Sequence, residues 1–414
     1  PLQNNRVRAD SALQDMLIQN GVKIFMAEDM QEVSEENNFM TVSTLREVGV
    51  EDLLPRDQIQ VDLEAIGALL KGQRILVTGS AGSIGSEIVR QVASFQPAEM
   101  ILIDQAETPQ HDILLMMQKN WSDIKAHTIV ASITNADRME DIFRDHCPDY
   151  VFHAAAYKHV PMMEDNPSES VQNNVYGTKV VADLSVKYGV KKFVMISTDK
   201  AVNPTNVMGC SKRICEIYVQ ALNNSLHGET QFVTTRFGNV LGSNGSVIPL
   251  FRQQIQNGGP VTVTDPDIIR FFMLIPEACR LVLEAGTHGK GGEILVFDMG
   301  KPVRILDLAQ RMITLSGAKN IDIQYTGLRA GEKLYEEVLS NTEDTLPSFN
   351  EKIRVAKVRE YDFAQVSKDI DDLIALSHSY DNMKIVAKMK QIVPEYKSNN
   401  SVYNVLDTTP PSTD

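Results

Sequence analysis

Three consecutive residues with proton-transferring side chains, Thr198, Asp199 and Lys200, follow an apolar run that predicts a buried strand. A carboxylate beside an amine can take up and release protons in general acid and base catalysis. In α/β sheets, ligands bind outside the carboxyl ends of parallel strands, which is where this triplet falls. We therefore expect Asp199 and Lys200 to act as a pair on a bound substrate.

A glycine-rich turn, Gly79-Ser-Ala-Gly82-Ser-Ile-Gly85, lies between a predicted strand and a predicted helix. Its first glycine permits a tight turn, its second lets the backbone approach a pyrophosphate, and its third lets helix and strand pack closely. Asp104 ends the next predicted strand, 19 residues after Gly85, where a carboxylate accepts hydrogen bonds from the adenosine ribose. It would repel a 2′-phosphate and no Arg follows it, so NAD is predicted over NADP. The turn residues predicted to hold NAD are Gly79, Gly82, Ser83, Ile84 and Gly85. A purely structural glycine turn, as in flavodoxin-like proteins, is the alternative.

Alternating strands and helices must position these residues. Besides the strand that begins at Arg74, apolar runs predict buried strands at Met100–Asp104, Ala126–Ala131, Tyr150–Ala154 and Lys192–Ser197. Helix-length segments separate them. Five such strands imply an α/β fold, with a doubly wound Rossmann-type parallel sheet and, from about Gly238, a smaller α/β substrate-binding domain.

The same patterns predict how the chain is divided. Residues 1–70 are expected to be a lead-in or the remnant of a preceding domain, and residues 396–414 a flexible tail. The remaining predicted parts are a Rossmann domain at 71–240 with a return segment at about 268–300, and a substrate-binding domain at 241–267 and 301–395.

Composition and charge exclude several classes of protein. The 414 residues are 43% hydrophobic and 23% charged, which excludes collagen-like, low-complexity and coiled-coil proteins. Forty Lys and Arg against 54 Asp and Glu give a net charge of −14, so neither nucleic acid nor an anionic membrane is an expected partner. The four cysteines form no Cys-x-x-Cys pair, so no disulfide framework, no zinc site and no other metal is predicted.

Three segments together carry a family resemblance: Phe152-His-Ala-Ala-Ala-Tyr-Lys158-His-Val-Pro-Met-Met-Glu164, Ser197-Thr-Asp-Lys200 and Met208-Gly-Cys-Ser-Lys212. They resemble the extended short-chain dehydrogenase/reductases, specifically the UDP-N-acetylglucosamine 4,6-dehydratases of polysaccharide and glycan biosynthesis. The resemblance extends from about Leu53 to Glu337. Further matching segments are Thr235-Arg-Phe-Gly-Asn239-Val-Leu-Gly-Ser, Asp267-Ile-Ile-Arg270-Phe-Phe-Met and Gly327-Leu-Arg329-Ala-Gly-Glu332-Lys.

The resemblance implies a lyase that uses and regenerates NAD. Hydride leaves carbon 4 of the sugar, the proton on carbon 5 is removed, water is eliminated from carbon 6, and hydride returns to carbon 6. We assign the protons of the 4- and 6-hydroxyls to Asp199 with Thr198, and the carbon 5 proton to Lys200. Lys212 and the positive nicotinamide favour the neutral amine that Lys200 then needs, whereas Asp199 opposes it.

Met208 departs from the simpler reductases, which carry a catalytic Tyr four residues before the Lys on this helix. A thioether cannot carry a proton, so another group must deprotonate the 4-hydroxyl. Family members with this Met and an intact Thr-Asp-Lys triplet resemble retaining dehydratases, which implies a product of the xylo configuration. Lys212 is expected to bind the nicotinamide ribose. Met208 itself is expected either to pack beside the sugar or to pack in the core as a residue of the helix face.

The remaining candidate residues are expected to contact either NAD or the nucleotide sugar. Small side chains at Ala154, Ala155 and Ala156 suit a backbone that passes close to NAD. Relatives usually carry Asp at Ser132, before Ile133, and a Ser there can still accept from the adenine amino group. Two arginines, Arg270 and Arg329, can pair with a diphosphate. The family pattern adds as substrate contacts Lys158, Asn239, Thr264 and Glu332.

Three other functions remain open: an inverting 4,6-dehydratase, a nucleotide-sugar 4-epimerase, and a catalytically dead regulator that binds NAD or nucleotide sugars. An epimerase needs no acid and base pair after the fifth strand, so Asp199 and Lys200 argue against it. The preference for N-acetylglucosamine over N-acetylgalactosamine rests on resemblance, and the pathway stays open. A homo-oligomer is expected. Because larger family members carry membrane helices and another domain ahead of this region, we expect a cytoplasmic, soluble part of a membrane-anchored bacterial protein.

Overall fold

The computed structural model describes residues 25–27, 45–47, 59–226, 228–337, 345–356 and 359–407. Most of the predicted lead-in and residues 408–414 of the predicted tail lie outside these ranges. Within them, no helix combines the length and the apolar character needed to cross a membrane.

Strands and helices alternate along most of the described chain. The strands are β1 (Phe25–Ala27), β2 (Leu45–Glu47), β3 (Arg74–Thr78), β4 (Glu99–Asp104), β5 (Lys125–Val130), β6 (Tyr150–His153), β7 (Lys192–Thr198), β8 (Gln231–Phe237), β9 (Asn239–Leu241), β10 (Val261–Val263), β11 (Ile269–Arg270), β12 (Phe272–Leu274), β13 (Glu293–Phe297), β14 (Val303–Arg304), β15 (Ile323–Tyr325), β16 (Thr345–Pro347) and β17 (Ile353–Ala356). The α-helices are α1 (Leu63–Leu70), α2 (Ser83–Ala93), α3 (Glu107–Asn120), α4 (Ala136–His146), α5 (Val160–Asp165), α6 (Pro167–Ser170), α7 (Gly177–Lys187), α8 (Val207–Ser225), α9 (Val247–Gln256), α10 (Ile275–His288), α11 (Ile305–Ser316), α12 (Phe363–Ser377) and α13 (Asn382–Ile392). A π-helical turn covers Val171–Tyr176, and 3₁₀ turns cover Asp199–Ala201 and Val402–Asp407.

The chain divides into two compact units. The larger comprises residues 59–240, 275–299 and 328–414, and the smaller residues 1–58, 241–274 and 300–327. In the described part of the smaller unit, β10 pairs parallel with β15, β11 pairs antiparallel with β14, and α9 packs against α11. β1 and β2 pair antiparallel.

The larger unit is built on a sheet of nine described strands in the order β16-β17-β13-β8-β7-β6-β3-β4-β5. The seven from β13 to β5 are parallel, and β17 and β16 continue the sheet antiparallel. Strand order reverses between β3 and β6, and ligands bind α/β sheets at the carboxyl ends of the strands beside such a reversal. The predicted doubly wound Rossmann-type sheet is confirmed.

Helices cover both faces of this sheet. One hydrophobic core joins strand residues such as Leu76 and Phe193 to α4, α7, α8, α12 and α13. A second group of helices lies outside that core. Helix α10 packs against strands β7 and β8, and it also packs against helices α1 and α2. Sheet and helices thus hold the strand ends in fixed positions.

The structure corrects the predicted division of the chain at its carboxyl side. Residues 328–395 were assigned to the substrate-binding domain, yet they belong to the larger unit with the sheet. The physical reason is twofold: β17 pairs with β13, and α12 and α13 bury Ile370 and Ile385 in the core against α8. Residues 268–274, predicted as part of the Rossmann return segment, belong to the smaller unit.

The two predicted ends also differ from the structure where it describes them. In the predicted lead-in, the backbone N–H of Asp62 donates to Glu284 of α10 over 2.9 Å, which ties α1 to the larger unit. In the predicted tail, Tyr403 is buried and its hydroxyl donates to the carbonyl of Glu164 over 3.0 Å. Residues 396–407 are therefore part of the packed unit.

Candidate active site

The glycine turn after β3 forms a cradle that side chains would fill. Gly79 has φ +68°, in the left-handed region, and a Cβ there would lie 2.6 Å from the backbone nitrogen of Ala155. A Cβ on Gly85 would lie 1.9 Å from the carbonyl oxygen of Gly79. Both positions accept only glycine, so the turn lies directly against the backbone that follows β6.

A cavity opens beside this turn at the carboxyl edge of the sheet. Asp104 lies at its rim, where one carboxylate oxygen accepts from the N–H of Ala81 over 3.1 Å and the other from the N–H of Ala106 over 2.9 Å. The two amides fix the carboxylate where a ribose hydroxyl could donate to it. Predicted cofactor residues that line the cavity are Gly79, Gly82, Asp104, Ile133, Ala154, Ala155 and Ala156.

Ser132 forms a local turn with Thr134. Its hydroxyl forms a 2.8 Å hydrogen bond with the Thr134 hydroxyl and accepts from the Thr134 N–H over 3.2 Å. Its contact with the adenine amino group stays a prediction. Ser83 and Ile84 form the first turn of α2, whose N-cap is Gly82.

The catalytic candidates meet where β7 passes into a 3₁₀ turn. Thr198 is the last residue of β7, and its hydroxyl donates to Asp199 Oδ1 over 2.9 Å. The Lys200 Nζ donates to the same oxygen over 3.0 Å and to Asn239 Oδ1 over 3.0 Å. The structure thus brings the predicted triplet together with Asn239, a predicted substrate contact.

One carboxylate oxygen of Asp199 accepts no hydrogen bond from the residues that the structure describes. Its side chain is 1% exposed, and Oδ2 is buried without a hydrogen-bond partner among the described residues. A Cβ on Gly238 would lie 2.8 Å from this oxygen, so glycine is needed opposite it. A buried carboxylate oxygen without a partner costs free energy, and such exceptions often have a functional reason.

Glu336 is a neighbour of the catalytic pair that sequence reasoning missed. Its side chain is 5% exposed, and Oε1 lies 3.6 Å from the Lys200 Nζ. Two carboxylates therefore face one amine, which favours the ammonium form of Lys200 over the neutral form that the sequence argument required. No spacing rule connects residues 200 and 336, although the matching segment around Glu332 ends only a few residues earlier.

Helix α8 begins against the catalytic turn. Asn206 caps it by accepting from the N–H of Gly209 over 2.7 Å, and a Cβ on Gly209 would lie 2.1 Å from the Lys200 carbonyl oxygen. Met208 is 3% exposed and belongs to the hydrophobic core. The Lys212 side chain is buried and makes no hydrogen bond to any residue that the structure describes. Burial lowers the pKa of Lys212, although Cys215 and Glu216 act to raise it.

The other predicted substrate residues are distributed over both units. In the larger unit, Lys158 and Arg329 are exposed, and the Glu332 carboxylate accepts from the backbone N–H of Arg329 over 3.0 Å. In the smaller unit, Arg270 is buried in β11 and Thr264 follows β10. Asn239 contacts the catalytic pair directly, because its Oδ1 accepts from the Lys200 Nζ.

Similar proteins include enzymes that act on nucleotide sugars. The capsular polysaccharide biosynthesis protein CapD of Staphylococcus aureus is 48% identical over 357 residues, which cover 86% of this chain and 59% of CapD. The inverting UDP-N-acetylglucosamine 4,6-dehydratase of Campylobacter jejuni is 33% identical over 281 residues, 67% of this chain and 80% of that enzyme. The UDP-glucose 4-epimerase of Rickettsia canadensis is 33% identical over 334 residues, 79% of this chain and 91% of that enzyme.

The chain spans less than two thirds of the length of CapD. Residues 75–358 match the model of a family described as polysaccharide biosynthesis protein. The matched region includes the glycine cradle, the catalytic turn and Glu336. The chain belongs to this polysaccharide biosynthesis protein family.

Proposed function

We propose that the chain dehydrates UDP-N-acetylglucosamine to a UDP-2-acetamido-2,6-dideoxy-hexos-4-ulose, with NAD as cofactor and with retention at carbon 5, for surface polysaccharide or glycan biosynthesis. The observation that carries this proposal is the buried Asp199 carboxylate, with one oxygen unpartnered and the other bonded to Lys200. This acid and amine pair lies at the carboxyl edge of the sheet that also carries the glycine cradle.

The chain's own residues fit NAD. The Gly79–Gly85 turn, at the start of α2, would hold the pyrophosphate on backbone N–H groups, and Asp104 would accept from the adenosine ribose. Lys212 would donate to the nicotinamide ribose, which suits a buried amine with no hydrogen bond to another described residue. When bound, NAD accepts hydride from carbon 4 and returns it to carbon 6.

Proton transfer falls to the residues around Lys200. Asp199, supported by Thr198, takes the proton of the 4-hydroxyl and supplies one to the departing 6-hydroxyl. Lys200 removes the carbon 5 proton, for which it must first be neutral. Glu336 faces its ammonium at 3.6 Å and can hold the proton that it releases, which leaves Asp199 able to take the proton of the 4-hydroxyl. Each such transfer contributes about 10²–10⁴-fold to the rate.

The proposal of retention rests on the resemblance to retaining dehydratases, which also carry Met at this position. The Met208 thioether carries no proton and is buried in the core, so the catalytic turn must supply the acid and base groups. We propose that Arg329 of the larger unit pairs with the diphosphate of the substrate, and that Lys158 and Glu332 add substrate contacts. Arginine suits this task because its guanidinium can pair with phosphate through two hydrogen bonds. The roles of Arg270 and Thr264 in the smaller unit stay as the resemblance implies them.

Proton NMR of the protein with UDP-N-acetylglucosamine and NAD in deuterated water tests the proposal. We expect a new 6-methyl signal, deuterium at carbon 5 and the xylo configuration. The arabino configuration would leave a dehydratase but overturn retention, and an unchanged sugar would overturn the proposed activity on this substrate.

A nucleotide-sugar 4-epimerase is the second candidate, favoured by the similarity to the Rickettsia canadensis enzyme. The same NMR experiment separates the two functions. An epimerase would invert carbon 4 and produce the galacto sugar with no 6-methyl signal, because it eliminates no water. Bound NAD with no change in any UDP-sugar would favour the regulator.

A further inference from the structure

A second cluster of titratable side chains lies at the amino edge of the same sheet, away from the strand ends that carry Asp199. Glu99 is the first residue of β4, His127 lies in the paired strand β5, and His146 ends α4. These three residues are far apart in sequence, so no spacing typical of metal ligands predicts the cluster. They become neighbours only in the folded chain.

Their ligand atoms converge on one point. Glu99 Oε1 lies 3.0 Å from His127 Nε2 and 2.8 Å from His146 Nδ1, and all three atoms lie within 4.8 Å of one another. Zinc bonds of about 2.0–2.1 Å to nitrogen and oxygen place tetrahedral ligand atoms roughly 3.3 Å apart. Small side-chain rotations therefore suffice to put all three atoms around one ion.

His127 adds a separate observation that points to a ligand. Its Nε2 is buried, and although it lies close to Glu99 it makes no aligned hydrogen bond to any residue described. A buried ring nitrogen without such a bond is an exception among polar groups in folded proteins. A metal ion would give this nitrogen its partner.

We infer that Glu99, His127 and His146 form a binding site for a divalent transition metal ion, best suited to Zn²⁺. Two imidazoles and one carboxylate match zinc sites with three protein ligands and one water, and nitrogen donors disfavour Mg²⁺ and Ca²⁺. The site joins β4, the edge strand β5 and the end of α4. Its role is to fasten the edge of the sheet, and catalysis does not require it.

The charges around the cluster permit this binding. Lys125 lies 3.2 Å from Glu99 Oε1, and its side chain is 64% exposed, so it can turn to solvent when a cation binds.

Metal titration of the full chain, purified without a polyhistidine tag and dialysed against a chelator, tests the site. We expect one equivalent of Zn²⁺ to bind and to raise the melting temperature, and one equivalent of Co²⁺ to give the visible absorption of a four-coordinate ion. His127→Gln and His146→Gln should each weaken binding by at least about a hundredfold, since even changes around metal ligands cost 10–100-fold.

His111→Gln is the matched control, because His111 is an exposed histidine on α3 outside the cluster. It should bind as the unchanged chain does. Failure of the unchanged chain to bind Zn²⁺ and Co²⁺ would overturn the inference. Unchanged affinity for the metal in both the His127→Gln and the His146→Gln variant would also overturn it. If a histidine variant fails to fold, Glu99→Gln replaces it, and the Co²⁺ spectrum of the unchanged chain still shows whether the bound ion is four-coordinate.

Discussion

Two buried carboxylates near the end of β7, Glu216 and Asp199, differ in how many of their oxygens have hydrogen-bond partners. Glu216 of α8 accepts from the Ser197 hydroxyl at 2.7 Å, from Arg213 at 3.1 Å, and from Arg236 at 3.1 and 2.7 Å. Asp199 is as deeply buried, yet one of its oxygens accepts from no described residue. Glu216 is thus fully paired, and Asp199 is half paired.

This difference in pairing suggests that Glu216 stabilises the fold and that Asp199 takes part in proton transfer. A carboxylate held by two guanidinium groups is fixed in its charged form and position, so it can stabilise the fold but cannot exchange protons readily. A carboxylate with a free buried oxygen is costly to fold but can accept a proton from a substrate. Substitutions at four carboxylates, taken in order of expected effect, test whether this contrast holds.

Asp199→Asn should have the largest effect, and it should fall on activity. Asparagine keeps the shape and can still accept from Lys200, but it cannot take up a proton, so turnover should fall by about 10²–10⁴-fold. The free energy of unfolding should change by less than about 3 kcal/mol, because Oδ2 has no partner to lose and Lys200 keeps the Glu336 carboxylate as a counter-charge. The NMR rate of 6-methyl formation and urea unfolding measure the two quantities. Normal turnover, or a large loss of stability, would break the contrast.

Glu216→Gln should show the reverse. Removing one partner of a buried ion-pair network costs about 3–5 kcal/mol of unfolding free energy, because two guanidinium groups remain without their counter-charge. Burial alone would raise the pKa of Glu216, but Arg236 and Arg213 lower it below its usual value. Its stabilising effect is therefore present at neutral pH and is lost as the pH falls through that lowered pKa.

Urea unfolding of both proteins across the acid range measures this effect. The difference between the original chain and the Gln variant should be full near pH 7 and shrink in acid. A difference that stays constant with pH would mean that the charge of Glu216 does not stabilise the fold.

The contrast also explains which parts of the molecule the sequence could predict. Local patterns placed the strands well: β6 was expected at Tyr150–Ala154 and is found at Tyr150–His153, and the Asp199 triplet follows directly from its position after β7. The hydrogen bond between the Ser132 and Thr134 hydroxyls, two residues apart, was not predicted.

Long-range packing could not be predicted in the same way. Glu336 reaches Lys200 from an irregular segment, and the charged sequence of 359–407 conceals helices that bury one face against α8. The metal ligands at residues 99, 127 and 146 meet only because β4, β5 and α4 converge. In each case, residues distant in sequence become neighbours through the sheet topology, which no spacing rule encodes.

Glu336→Gln tests a third carboxylate, which we expect to affect activity less than Asp199 and stability less than Glu216. It faces Lys200 at 3.6 Å, so its loss should lower kcat by roughly 10–100-fold by removing a group that can hold the proton released by Lys200, with little change in KM. The acidic limb of the pH profile of kcat should move to lower pH, because one fewer carboxylate disfavours the ammonium and Lys200 becomes neutral at lower pH. Glu336→Asp should restore part of the rate.

Glu337→Gln is the control for this substitution, since Glu337 pairs with Lys333 at 3.1 Å and is the next residue in the chain. It should leave the pH profile unchanged. An identical profile in both variants would remove Glu336 from the proton-transfer pair and leave Asp199 as its sole carboxylate partner.

Asp104→Asn should have the smallest effect, and it should fall on binding alone. Both oxygens of Asp104 already accept from backbone amides, as the oxygens of Glu216 accept from arginines, but this carboxylate is partly exposed at the rim of the cavity. Asparagine retains one acceptor and loses the charge, so the Kd for NAD should rise about tenfold, or 1.4 kcal/mol. Discrimination against NADP should shrink, because the 2′-phosphate no longer meets a negative charge. Calorimetric titration with both nucleotides measures the two effects, and Glu107→Gln, an exposed change in the first turn of α3, serves as control. Turnover at saturating NAD should be unchanged, because a carboxylate already bonded through both oxygens orients a ligand and moves no proton; a drop in kcat would mean that pairing does not distinguish binding carboxylates from catalytic ones.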